Sequence, residues 1–118
     1  MDDDPAKAIR THKNSSILGA LNLLNEKKAD AVFSAGSTGA TLIGAISVLG
    51  KIKGVIRPTI ASVLPSSEKE VILVDSGANL EVKPKILYQF AVMGSKLAQL
   101  LFDIESPKIG LILSLIHI

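Results

Sequence analysis

The sequence predicts an α/β fold: a mainly parallel sheet with helices on both faces, three layers in all. Two observations carry this. Short segments such as ADAVFSA, VILVDSG and PKIGLIL are apolar on both faces, as strands covered from two sides are. Between them run longer segments whose Leu and Ile residues recur every three or four positions, so strands alternate with helices. There is no internal repeat and no low-complexity linker, and 118 residues leave room for one domain.

The elements follow in order. Asp4 and Pro5 make a helix start, a capping oxygen followed by a residue whose missing N–H is no loss at the first helical position. PAKAIRTHK then forms a short helix ending near Asn14. Ser15 or Ser16 caps a second helix, ILGALNLLNEKK, with Ile17, Leu18, Leu21 and Leu24 at helical spacing. ADAVFSA reads as a short buried strand. After the turn, GATLIGAISVLG is apolar nearly all round, as a helix buried within a larger body is, and Gly50 ends it. KIKGVIRP is a basic loop. TIASVLP and VILVDSG read as two strands joined by the polar turn SSEKE. Pro84 opens the longest helix, in which Ile86, Phe90, Met93, Leu97 and Leu100 step by four, three, four and three. PKIGLIL reads as a last strand.

Composition narrows the function. With 47% hydrophobic and 20% charged residues the chain is globular rather than disordered. A formal charge of +2 and only four aromatic residues (Phe33, Tyr88, Phe90, Phe102) give nucleic acid little to bind or stack on. No cysteine is present, which excludes disulfides, thiolate metal sites and a cysteine nucleophile and is compatible with a cytoplasmic protein. The N-terminal MDDDPAKAIR is acidic where a secretory signal is basic. Residues 31–50 carry no charge, yet the purely apolar part after the turn falls well short of the ~20 residues a bilayer span needs.

Two turns carry the candidate chemistry, because ligands of such sheets sit beyond the carboxyl ends of the strands. In VFSAGSTGA, Gly36 and Gly39 let backbone approach a ligand closely, and the N–H groups from Ser37 to Ala40 stand at a helix N-terminus, where the dipole favours an anion. Ser34, Ser37 and Thr38 add hydroxyls, and phosphate is the natural guest. The competing reading is a strand-to-helix turn whose glycines serve packing alone. No lysine follows the last glycine, so the turn is not a P-loop, and it does not match the dinucleotide fingerprint. In VILVDSGAN, Asp75 either orients a hydroxyl, a lysine or a metal, or caps the next turn with its own side chain. Asn79 is either a substrate-binding amide or an ordinary turn residue.

Other chemistries lack parts. Only His12 and His117 are present and there is no glycine-x-serine-x-glycine, so a serine–histidine hydrolase is not supported. A metal site would rest on scattered carboxylates, and Asp2 to Asp4 read more simply as a solvated helix start. Lys51, Lys53 and Arg57 either meet an acidic partner or form a solvated basic loop.

Four motifs, DDDPAKAIRTHKNSS, ADAVFSAGSTGA, GKIKGVIRP and VDSGANLEVKPKILYQFAVMGS, occur in an order and spacing that resemble the bacterial phosphate acyltransferases of phospholipid synthesis. The resemblance covers residues 1–112. It implies transfer of a fatty acyl group from acyl carrier protein to inorganic phosphate, giving an acyl phosphate, with no cofactor and no metal. It also implies a cytoplasmic homodimer, peripherally associated with the membrane, with a fold of the isocitrate and isopropylmalate dehydrogenase type. On this basis Ser34, Gly36, Ser37, Thr38 and Gly39, with Ser15, are candidates for phosphate binding. Asp75, Asn79 and Lys13 are candidate catalytic residues, the first two orienting substrate and Lys13 neutralising charge. Lys51, Lys53 and Arg57 are candidate contacts to the carrier protein.

The chain also departs from the family pattern. Family members are longer, opening with a strand and a DAMGGD-like turn and continuing past PKIGLI into an NxG-like turn. Residues 1–112 therefore read as an internal piece of the α/β domain that would leave apolar sheet faces uncovered and be inactive alone. Residues 113–118, LSLIHI, match the translation of a sequencing-library transposon end and read as a non-native tail, against the alternative of a natural apolar strand end. His117 accordingly receives no role. Two other functions stay open: a phosphotransacetylase-like enzyme using coenzyme A thioesters, and a non-catalytic phosphate- or nucleotide-binding module.

Overall fold

A computed structural model describes residues 5–67, 69–79 and 81–112. The predicted cap Asp4, the acidic run Asp2 to Asp4 and the tail 113–118 lie outside the described residues. The chain divides into two compact units, Met1–Pro58 and Thr59–Ile118.

The first unit holds three helices: α1 (Pro5–Thr11), α2 (Ser16–Asn25) and α3 (Thr38–Leu49). Helix α1 stops three residues short of the expected Asn14. The His12 N–H still reaches the Ala8 carbonyl at 2.9 Å, and the Ser15 N–H then bonds to the His12 carbonyl at 3.0 Å, a tight turn that leads into the cap of α2. Ser15 caps α2 as the sequence indicates, its Oγ accepting from the Leu18 N–H at 3.4 Å. At the other end Lys27 takes a left-handed φ of 58°, and the Lys28 N–H bonds back to the Leu23 carbonyl at 2.9 Å. Ser37 caps α3, and Gly50 ends it with a φ of 78° that disfavours any side chain.

Helix α3 packs against both α1 and α2. Ile9, Leu18 and Leu21 form the buried apolar core of this unit. Gly44, also buried, sits where the helices come closest. A Cβ there would lie 3.0 Å from Leu21 Cδ1, 3.5 Å from Ile9 Cδ1 and 3.6 Å from Ile17 Cγ2. Replacing Gly44 with Val is therefore expected to destabilise the protein by about 1–3 kcal/mol through overpacking, read by urea denaturation of the full-length form. An unchanged midpoint would show that the α2–α3 contact is looser than this.

One expectation for this unit is corrected. Residues 31–35 form no strand, and Phe33 is 94% exposed. A strand needs a partner for its N–H and C=O groups, and none of the described residues supplies one. Helix α3, expected to be buried within a larger body, packs here against α1 and α2 with Gly44 buried and its other residues partly or fully exposed.

The second unit consists of β1 (Ala61–Leu64), β2 (Val71–Val74) and α4 (Pro84–Phe102). Both strands lie where TIASVLP and VILVDSG place them, but they pair antiparallel, with Ala61 opposite Val74 and Leu64 opposite Val71. The short polar connection explains this, since parallel neighbours require a crossover of a dozen or more residues. Segment 107–112 of the expected last strand is not a strand. A two-stranded sheet is marginal by itself, and α4 packs on β2.

The contact face of α4 differs from the predicted stripe. Ile86, Phe90 and Ala98 are buried, whereas Leu100 is 83% exposed. The row runs in steps of four through Gly94, where a Cβ would meet Val74 Cγ2 at 3.0 Å. A ridge of residues four apart lies oblique to the helix axis, so packing along it leaves the four-three stripe before the last turn. Among the described residues no helix is long and apolar enough to cross a membrane.

Candidate functional site

The turn between residues 34 and 39 is built from local hydrogen bonds. Ser34 Oγ accepts from the Gly36 N–H at 3.2 Å, and Ser37 Oγ accepts from the Ala40 N–H at 3.5 Å. The Thr41 hydroxyl donates to the Ser37 carbonyl at 3.0 Å. Both glycines are crowded. A Cβ on Gly36 would lie 3.3 Å from Ile17 Cδ1 and from Ser34 Oγ; one on Gly39 would lie 3.1 Å from Pro5 Cγ. Packing alone thus accounts for two small residues here.

Packing does not account for the polar groups left over. Within the described residues the N–H groups of Thr38 and Gly39, and the Thr38 hydroxyl, make no hydrogen bond. These groups stand at the first turn of α3, where the helix dipole adds partial positive charge. Ser34, Ser37 and Thr38 are exposed and Gly39 partly so. Amides and a hydroxyl in this condition are donors of the kind an anion accepts from.

The remaining candidates of this unit are less concentrated. Ser15 is committed to capping α2, and Lys13 is exposed in the segment between α1 and α2. Lys51, Lys53 and Arg57 are exposed in the loop after α3. Lys51 Nζ donates to the Ile56 carbonyl at 2.9 Å and so closes the loop on itself.

In the second unit Asp75 ends β2 as a partly buried hub. Its Oδ1 accepts from the Thr59 hydroxyl at 2.7 Å and the Ile60 N–H at 2.9 Å. Its Oδ2 accepts from the Asn79 N–H at 2.7 Å and from Asn79 Nδ2 at 3.1 Å. These four donors match the roughly four acceptor sites of a carboxylate. Burial pushes the Asp75 pKa up, but the hydrogen bonds from Ile60, Thr59 and Asn79 outweigh it and hold the group below the ordinary aspartate value. Asp75 and Asn79, singled out separately in the sequence, are thus brought together, with Asn79 as the capped turn residue.

Thr59 and Ile60 are the partners that sequence reasoning missed. They are 16 and 15 positions from Asp75, and no spacing rule connects them. The hairpin register does: extending the Ala61–Val74 pairing by one position sets Ile60 opposite Asp75. The signal lay in the short polar connection, which implies antiparallel pairing; the sequence reading assigned no direction to this pair within a mainly parallel sheet. Among the described residues no group of three or more His, Cys, Asp or Glu is placed to hold a metal ion.

Residues 1–114 match the family model described as fatty acid synthesis protein. The chain is 50% identical over 112 residues to a phosphate acyltransferase of Desulforamulus reducens, covering 95% of this chain and 34% of that protein. It is 47% identical over 112 residues to that of Elusimicrobium minutum, covering 95% of this chain and 33% of that protein. To that of Clostridioides difficile it is 46% identical over 111 residues, 93% of this chain and 33% of that protein. The chain spans about a third of the length of the curated relatives it matches. With nearly every residue matched by one family model and about half shared with phosphate acyltransferases, the chain belongs to the fatty acid synthesis protein family.

Proposed function

We propose that this chain is part of a phosphate acyltransferase that moves a fatty acyl group from acyl carrier protein to inorganic phosphate. The observation that carries the reading is the Ser34–Gly39 turn, with its uncommitted amides and hydroxyl at the start of α3, in a chain of this family.

The chemistry asks little of side chains. Phosphate is partly a dianion at neutral pH and is itself the nucleophile, and the carrier thiolate leaves readily. A phosphate oxygen attacks the thioester carbonyl carbon, a tetrahedral oxyanion forms, and collapse breaks the C–S bond. Catalysis then consists of holding phosphate against the thioester and stabilising the oxyanion. Ser34, Gly36, Ser37, Thr38 and Gly39 bind phosphate, with Ser15 holding the start of α2. Lys13 offsets the accumulated negative charge. Asp75 and Asn79 orient substrate by ordering the 75–79 loop. Lys51, Lys53 and Arg57 present positive charge to the acidic carrier, with Lys51 also shaping the loop that bears them. The full-length protein would be a cytoplasmic homodimer, peripherally associated with the membrane. Its sheet would be mainly parallel and three-layered, of the isocitrate dehydrogenase type, with the β1–β2 pair as an antiparallel part. Residues 1–112 belong to that domain.

The test compares thioesters in the full-length protein that carries this chain. Long-chain acyl carrier protein and phosphate should yield acyl phosphate, trapped as a hydroxamate, at a higher kcat/KM than a short-chain coenzyme A thioester. The reverse preference would favour a phosphotransacetylase-like enzyme. Phosphate binding with neither thioester consumed would favour a non-catalytic module.

A further inference from the structure

We infer that Ser76, rather than Asp75, is the group of the 75–79 loop that touches substrate, its hydroxyl donating to a substrate oxygen. The inference rests on the acyltransferase reading above and deepens it. It follows from accounting for the loop's hydrogen bonds. The Asp75 carboxylate is occupied by the Thr59 hydroxyl, the Ile60 N–H and both donors of Asn79. A carboxylate in that state has no acceptor position left for a substrate proton, and its lowered pKa makes it a poor base.

Ser76 is in the opposite condition. Its backbone is fixed, since its N–H donates to the Ile60 carbonyl at 2.9 Å and it follows the anchored Asp75. Gly77 after it takes a φ of 82°, a backbone conformation that favours glycine. The Ser76 side chain is partly buried, and its hydroxyl makes no hydrogen bond within the described residues. A held backbone with an uncommitted hydroxyl is the arrangement a substrate contact requires. Asp75 and Thr59 are then positioning residues that act through Ser76.

The experiment measures steady-state kinetics and melting temperature of the full-length protein with Ser76→Ala, Ser76→Thr and Asp75→Asn. Ser76→Ala should lower kcat/KM about tenfold or more while leaving the melting temperature unchanged, because the hydroxyl supports nothing in the fold. Ser76→Thr, which keeps the hydroxyl, should recover part of the loss. A rise confined to the phosphate KM identifies a phosphate oxygen as the acceptor, and one confined to the carrier substrate identifies the thioester oxygen. Asp75→Asn should lower both the melting temperature and the rate. Ser76→Ala with kcat/KM within about twofold of the parent would overturn the inference and leave the acyltransferase reading standing. A parent protein that forms no acyl phosphate would overturn both.

Discussion

Changing Thr38 to Val and Gly39 to Ala together is expected to abolish acyl phosphate formation in the full-length protein without unfolding it. Thr38→Val removes a hydroxyl that has no partner within the described residues, and the α3 cap, made by Ser37, stays in place. The loss from this change alone should be about 10²–10³-fold in kcat if the hydroxyl serves the transition state. Gly39→Ala improves helix propensity by up to about 1 kcal/mol but sets a Cβ 3.1 Å from Pro5 Cγ, so the two effects on stability oppose each other. The same Cβ stands beside the amide offered to phosphate. Near-parental melting with no turnover assigns the turn to phosphate. Reduced stability with full activity per folded molecule assigns the glycines to packing.

The second large effect is on Asp75. Asp75→Asn should destabilise the full-length protein by about 2–3 kcal/mol, since an amide presents N–H groups where the carboxylate accepted from four donors. Part of this loss depends on pH, and its sign is set. The folded-state pKa of Asp75 is lowered, so its stabilising contribution is complete above the unfolded aspartate value, about 4. It fades as pH falls through the folded value. The stability difference between parent and variant should be largest near neutrality and shrink in acid, measured by urea denaturation across that range. A difference constant with pH would mean that the carboxylate charge plays no part in the clamp.

The sequence discloses local structure well and long-range structure poorly. The Ser15 cap, the Gly50 stop and the Pro84 start of α4 were all legible because each depends on one residue and its immediate neighbours. The strands at 61–64 and 71–74 were legible from β-branched residues around a polar turn. Their pairing with each other was not foreseen: the sheet was read as mainly parallel from its alternation with helices, and the short polar connection was not used to set the direction of this pair. Residues 31–35 and 107–112 have strand composition but find no strand partner among the described residues, and composition cannot supply one. The face of α4 was misread toward its C-terminal end because the chosen packing ridge depends on Val74, far away in sequence.

The candidate site divides the same way. The 34–39 turn could be proposed from the sequence as an anion-binding arrangement because its glycines, hydroxyls and following helix are contiguous. Asp75 was legible as a turn cap and Asn79 as a turn residue, though not that the one caps the other. Thr59 and the role proposed for Ser76 were not, because each depends on where other donors already point.

The most direct test of the account is ³¹P magnetic resonance of the full-length protein supplied with phosphate and long-chain acyl carrier protein. An acyl phosphate resonance should grow as the phosphate signal declines, and neither change should occur once Thr38 and Gly39 are replaced. Thioester consumption with an unchanged phosphate signal, or growth of the acyl phosphate signal in the Thr38 and Gly39 variant, would contradict it.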